Sequence, residues 1–286
     1  MVKILSDSTC DLSKELLDRY GVGIIPLHIV LGDREYRDGL EITPDEIYRW
    51  SDENRTTPKT SAVSPEDAMQ AMKPHLEAGD DIVVFCISEE MSTTGNVLRM
   101  AAEELDASER VAVIDSRNLS TGIGLQVIEA AVLAKAGKSK EEIVETIRNV
   151  TPLVRASFVV DTLLYLYRGG RCSGLAAMAG GMLKLHPKIE VNNGVMGAKK
   201  KYRGKPDSVI LNYVKDLEPE LKKARKERVF ITHSGCPEET VEQVKAYLES
   251  LDYFEEILIT RAGGVISSHC GPGTLGVLFI GQEETT

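Results

Sequence analysis

Short apolar runs alternate with helices that open on polar residues through the first half of the chain. Lys3-Ile4-Leu5 reads as a strand, and after Asp7-Ser8-Thr9 a helix is expected through Leu12, Leu16 and Leu17. The run from Gly23 to Val30 predicts a second strand. Thr43-Pro44-Asp45-Glu46 is a capping box with proline at the first helical position, and Ser64-Pro65-Glu66-Asp67 opens the next helix in the same style. Asp81 to Ile87 is continuously apolar at its centre, as a parallel strand covered on both faces would be. Arg110 to Ser116 is similar, and an alanine-rich helix follows from Gly122 to Gly137. Strand and helix in regular alternation predict an open, mostly parallel α/β sheet.

A further capping box, Ser139-Lys140-Glu141-Glu142, leads a helix to Thr151, and Ala156 to Val160 is a strand. Beyond it the texture changes. Gly169-Gly170-Arg171 is followed by small and apolar residues from Leu175 to Leu185, then by a hairpin signal at Asn192-Asn193-Gly194. Strands at Val229–His233 and Ile257–Thr260 flank a helix that Pro237 starts, and Leu275 to Ile280 reads as a buried strand. The expected fold is therefore two α/β domains. The first (1–160) is a mostly parallel open sheet flanked by helices, and the second (161–286) is smaller, with a mixed sheet.

Charge and cysteine usage narrow the function. With 34 basic against 44 acidic residues the net charge is -10, which disfavours nucleic acid as a partner. The five cysteines (Cys10, Cys86, Cys172, Cys236, Cys270) are scattered without a C-x-x-C pair, so neither a disulfide framework nor a zinc site is expected. The start of the chain lacks a signal-peptide core, and no apolar run reaches the ~20 residues that span a bilayer. A cytoplasmic protein without stable membrane insertion is expected. Nucleotide loops (Walker, G-x-G-x-x-G after a strand) and H-E-x-x-H are absent.

Four polar clusters fall at the expected strand ends, where open sheets bind ligands: Asp7 to Asp11, Lys59-Thr60-Ser61, Ser88 to Asn96, and Asp115-Ser116. Ser92-Thr93-Thr94 at a helix start suits an anion, although each cluster taken alone is more simply a helix cap. His269 stands between an apolar run and the Gly271-Pro272-Gly273 turn, which predicts an imidazole on a glycine-bounded loop. Gly170-Arg171-Cys172-Ser173-Gly174 has the spacing of a nucleophile elbow, but the residues before it look helical where an elbow needs a strand. Of two basic runs, Lys222 to Arg228 is read as a solvated helix end. Lys199 to Lys205 is read as a loop beside Arg171 that could dock phosphate or an acidic partner.

Seven segments in order, SDSTCDL at 6–12, IIPLHIVLGDREYRDG at 24–39, KTSAVSPED at 59–67, ISEEMSTTGN at 87–96, VIDSRNLSTGIG at 113–124, DTLLYLYRGGRCS at 161–173 and SSHCGPGTLGVLF at 267–279, resemble the DegV family over essentially the whole chain. The resemblance implies a long-chain fatty acid held between two α/β domains, with no further cofactor and no metal. Its carboxylate would meet Thr60 (with Ser61 beside it), Ser92 and His269. It also implies a separate, dihydroxyacetone-kinase-like fatty-acid kinase subunit that makes the acyl phosphate, so that this chain is a carrier and not itself an enzyme, with transient membrane contact allowed. Arg168, Arg171 and Arg203 fall at or near positions associated with the polar mouth or kinase docking. Leu175, Met178, Met182, Leu183 and Leu185 are candidate tunnel walls, or ordinary core at helical spacing. Two alternatives remain: a hydrolase or acyltransferase using Cys172 or Ser92, and a lipid sensor without a kinase. The chain departs from the family pattern at Ala62-Val63, where Gln-Pro is expected, and at Thr93-Thr94-Gly95, where Gly-Thr-Tyr is usual.

Overall fold

The computed structural model describes residues 1–173 and 185–282. Strands β1 (Val2–Asp7), β2 (Gly23–Ile25), β3 (His28–Leu31), β4 (Arg34–Arg37), β5 (Lys59–Ser61), β6 (Asp81–Cys86) and β7 (Val111–Asp115) form the first part. With them go helices α1 (Lys14–Tyr20), α2 (Pro44–Asn54), α3 (Pro65–Glu77), α4 (Thr94–Glu104), α5 (Thr121–Lys135) and α6 (Lys140–Val150). The second part holds β8 (Val154–Val159), β9 (Cys172–Ser173), β10 (Leu185–Asn192), β11 (Val195–Arg203), β12 (Ala224–His233), β13 (Glu256–Arg261) and β14 (Leu275–Gly281). Its helices are α7 (Leu164–Gly169), α8 (Pro206–Asp216), α9 (Glu218–Leu221), α10 (Glu238–Ser250) and α11 (Gly264–Cys270).

A parallel sheet of order β2-β1-β6-β7 forms the first unit, with β6 at its centre. Side chains alternate across β6. Val83 and Phe85 pack on the side of α5 and α6, while Ile82, Val84 and Cys86 pack toward α3 and α4. Both faces are covered, which is why the run is apolar without interruption. The second sheet, of order β13-β12-β14-β8-β10-β11-β9, is mixed and has seven strands against four. Helix α5 touches strands of both sheets. It is apolar on nearly every side because it lies between two cores rather than at a surface. The capping boxes at Thr43 and Ser139 form with both of their hydrogen bonds.

Several expectations are corrected. Gly23 to Val30 is not one strand. Pro26, without an N–H, breaks it, so β2 stays in the parallel sheet while β3 turns into a small antiparallel sheet of order β4-β3-β5. Lys59-Thr60-Ser61 is the third strand of that sheet. Most of each basic run lies in a strand, with Lys222 at the end of α9. Residues 199–203 end β11, and 224–228 begin β12, where Arg228 and Arg225 pair with Glu129 on α5. Strand β8 pairs with β14 and β10 at the centre of the second sheet, so the change of sheet falls before Val154. Val265 on α11 packs with Leu5, Ile29 and Ile47 of the first unit. Among the described residues no helix is long and apolar enough to cross a membrane.

Candidate functional site

Helix α11 is where the two ends of the chain meet. It packs against α2, β3 and β5 of the first unit and α7 of the second. His269 is its penultimate residue, so the imidazole is carried on a helix and the glycine turn follows it, contrary to the loop expected from sequence. The ring reaches across to β5, where Nε2 lies 2.8 Å from Thr60 Oγ1. Thr60 is held opposite Ile29 in β3, so sheet pairing fixes its hydroxyl. Ser61, one residue on, faces the other way and donates to Glu35 at 3.2 Å.

Ser92 arrives from the turn between β6 and α4. Its Oγ lies 2.9 Å from Thr94 Oγ1, and its backbone N–H donates to Ser88 O at 3.1 Å. A cavity of about 490 Å³ is lined by Thr60, Ser61, Ser92, Thr93 and His269 together with Arg171. Its apolar wall includes Leu27, Ile87, Leu119, Met196, Val265 and Ile266. A narrow apolar void shares Leu119, Ile266 and Cys270 with it and runs on to Phe158 and Leu278 beneath the second sheet. The four carboxylate-site candidates and Arg171 therefore share one cavity. Arg168 and Arg203 stand exposed outside its wall. A larger cleft, about 820 Å³ between β7, α6, β8 and β10, is lined by Asp115 but by none of the carboxylate-site candidates or the three arginines.

Burial holds the His269 imidazole down to about 4, and the positive charge of Arg171 pushes the same way. The ring is neutral near pH 7. Its Nδ1 is buried without a hydrogen-bond partner among the described residues and faces Gly169. A Cβ on Gly169 would sit far inside contact distance of Nδ1. Gly169→Ala is therefore expected to displace the imidazole from Thr60 and to cost about 1–3 kcal/mol by overpacking. An unchanged His269 NMR resonance in that variant would contradict this packing.

The departures at 93–95 cause no backbone strain. Thr93 has φ -86°, open to any residue. As for the alternative nucleophiles, Ser92 Oγ has a hydroxyl for its partner rather than a base. The Cys172 side chain lies outside the described residues, as do Leu175, Met178, Met182 and Leu183; Leu185 opens β10. The cluster at Asp7 to Asp11 turns inward: Asp7 accepts from Thr9 and Ile87, and Asp11 from Ser120 and Gly263. Two residues at work here were missed. Met196 reaches the cavity because its segment is a strand, and Asp38, within Arg37-Asp38-Gly39, is a buried acceptor. A lone aspartate before a glycine reads as a turn, so only its burial distinguishes it. Among the described residues no cluster of histidine, cysteine or carboxylate side chains could hold a metal ion.

The two α/β units bring Thr60 and Ser92 of one and His269 from the far end of the chain to the wall of one cavity. The family model described as "Uncharacterised protein, DegV family" matches residues 1–282, and the chain belongs to the DegV family. It is 32% identical over 280 residues to the DegV domain-containing protein TTE1491 of Caldanaerobacter subterraneus, covering 97% of this chain and 98% of that protein. A DegV family protein from Thermus thermophilus, solved for its fatty-acid binding, superposes with a TM-score of 0.87 at 33% identity, covering 98% and 99% of the two chains. A stearic-acid-binding protein from Eubacterium ventriosum superposes with a TM-score of 0.86 at 30% identity over the full length of both.

Proposed function

We propose that this chain binds a long-chain fatty acid, with the carboxylate at Thr60, Ser92 and His269, and presents it to a separate kinase subunit. The observation that carries the reading is the Thr60–His269 hydrogen bond on the wall of a cavity that also exposes Ser92. With the proton on Nε2, His269 donates to Thr60 Oγ1 and leaves the threonine hydrogen free to donate to an acid. The volume of about 490 Å³ is that of a small-molecule site. Burying about 15 methylenes at ~0.8 kcal/mol each favours binding by on the order of 12 kcal/mol before ordering costs. That gain is realised only if the carboxylate keeps its hydrogen bonds, since an unpaired buried charge is costly. The neutral ring is suited to the task, as it donates without introducing a charge of its own.

Presentation to a kinase, with this chain as carrier, rests on the family resemblance. It is supported by Arg171 on the cavity wall and the exposed Arg168 and Arg203 outside it. Native mass spectrometry of freshly purified protein should show about one equivalent of a roughly C14–C18 acid. A mass that stays unchanged after incubation with such acids would overturn the binding reading. Adding ATP and a dihydroxyacetone-kinase-like fatty-acid kinase should yield acyl phosphate. No product with the acid bound would leave a lipid carrier or sensor without that partner.

A further inference from the structure

Two buried carboxylates lie behind the site, off the cavity wall, and nothing in the binding scheme uses them. Asp11 follows β1 and is 6% exposed; Asp38 follows β4 and is 2% exposed. Neither has a lysine or arginine within ion-pair distance among the described residues. Each carboxylate is instead bonded on both sides. Asp11 Oδ2 accepts from Ser120 Oγ at 2.6 Å, and Asp38 Oδ2 accepts from Ser8 Oγ at 2.9 Å, both donors belonging to the first unit. The other oxygens accept from the start of α11. Gly263 N–H donates to Asp11 Oδ1 and Gly264 N–H to Asp38 Oδ1, each at 2.8 Å.

Gly263 caps α11 without a side chain of its own, so the helix start depends on these distant acceptors. The approach is close. A Cβ on Gly264 would meet Ile29 Cδ1 at 2.5 Å and Ile47 Cδ1 at 2.9 Å. Asp7, the third buried carboxylate nearby, does not share the task, since it is bonded to Thr9 and Ile87. His269 lies about one and a half turns beyond the fixed amides. A small slide or rotation of so short a helix would carry Nε2 out of reach of Thr60.

We propose that Asp11 and Asp38 are positioning residues for His269: they tie the start of α11 to the first unit and so set the imidazole against Thr60. The consequence for fatty-acid binding rests on the reading above, whereas the positioning itself does not. It can be read in the ligand-free protein.

The experiment compares wild type with Asp38→Ala, Asp11→Ala and Asp38→Asn. It records the His269 imidazole resonances of delipidated protein by NMR and, separately, the affinity for palmitate. In the alanine variants the His269 resonance should move and its pKa rise toward the ordinary ~6.5. Palmitate affinity should fall about tenfold, the worth of one well-placed hydrogen bond. Asp38→Asn keeps a carbonyl oxygen for Gly264 and should restore both readouts. A folded alanine variant with wild-type imidazole resonances overturns the proposal. If the alanine variants do not fold, Ser8→Ala and Ser120→Ala loosen the same ties more gently, and unchanged resonances in both overturn it equally. Wild-type protein that binds no palmitate defeats the fatty-acid reading alone, because the imidazole still reports on the tie.

Discussion

His269→Ala should weaken fatty-acid binding by about 10- to 100-fold, and Ser92→Ala by a similar factor, with the fold intact in both. The range is the worth of one charge-assisted hydrogen bond to a carboxylate, ~1.5–3 kcal/mol, lost directly with Ser92 and through Thr60 with His269. The two variants act differently. Removing Ser92 Oγ takes one hydroxyl from the cavity and leaves buried Thr94 without its 2.9 Å hydroxyl partner and its 3.3 Å backbone acceptor. Removing the imidazole takes the partner of Thr60 as well, so the threonine hydroxyl is free to turn away from the acid. His269→Ala should therefore lose at least as much affinity as Thr60→Val, and the double variant should lose less than the sum of the two. Titration calorimetry with a soluble fatty acid decides it. Wild-type affinity in both the His269 and Ser92 variants would place the carboxylate elsewhere.

Much of the fold could be read from local chemistry. The capping boxes at Thr43 and Ser139, the proline-led helix after Ser64, the hairpin at Asn193-Gly194 and the doubly covered strand β6 are all set by nearest neighbours in sequence. The candidate site was legible as motifs but not as an arrangement. Thr60 and His269 lie 209 residues apart, and nothing in either segment says that α11 docks into the first unit. That docking depends on a close approach at Gly264 and on two carboxylates that look, in sequence, like turn residues. The same limit explains the basic runs. Lysines in Lys199-Lys200-Lys201 read as loop by composition, yet β11 tolerates them because all three are exposed, beyond the stretch that β9 covers near the sheet edge. The break at Pro26 was visible in principle, since proline cannot donate within a central strand. The apolar residues on either side of it outweighed that signal.

A pH effect of His269 should appear in the difference between wild type and His269→Gln rather than in wild type alone. In the unfolded chain a histidine titrates near 6.5; in the folded protein this one titrates at about 4, because it is buried beside Arg171. Between those values the unfolded state binds more protons, so stability rises with pH. The contribution is fully present above ~6.5 and is lost as pH falls to about 4, a swing of about 3 kcal/mol. Buried carboxyls oppose it. Burial raises Asp7 to about 6, so between its unfolded value of 3.8 and that point the folded protein holds the extra proton and gains stability as pH falls. Burial pushes Asp11 and Asp38 in the same direction. The opposing slopes overlap, and the wild-type curve alone would hide both. Urea unfolding of delipidated protein at several pH values between ~4 and ~7 separates them. The wild-type stability minus that of His269→Gln should grow with pH across the window by about 3 kcal/mol, and Asp7→Asn should change the slope in the opposite sense. A difference between wild type and His269→Gln that stays constant with pH would mean that the imidazole is solvated, and the neutral donor inferred for the cavity would go with it.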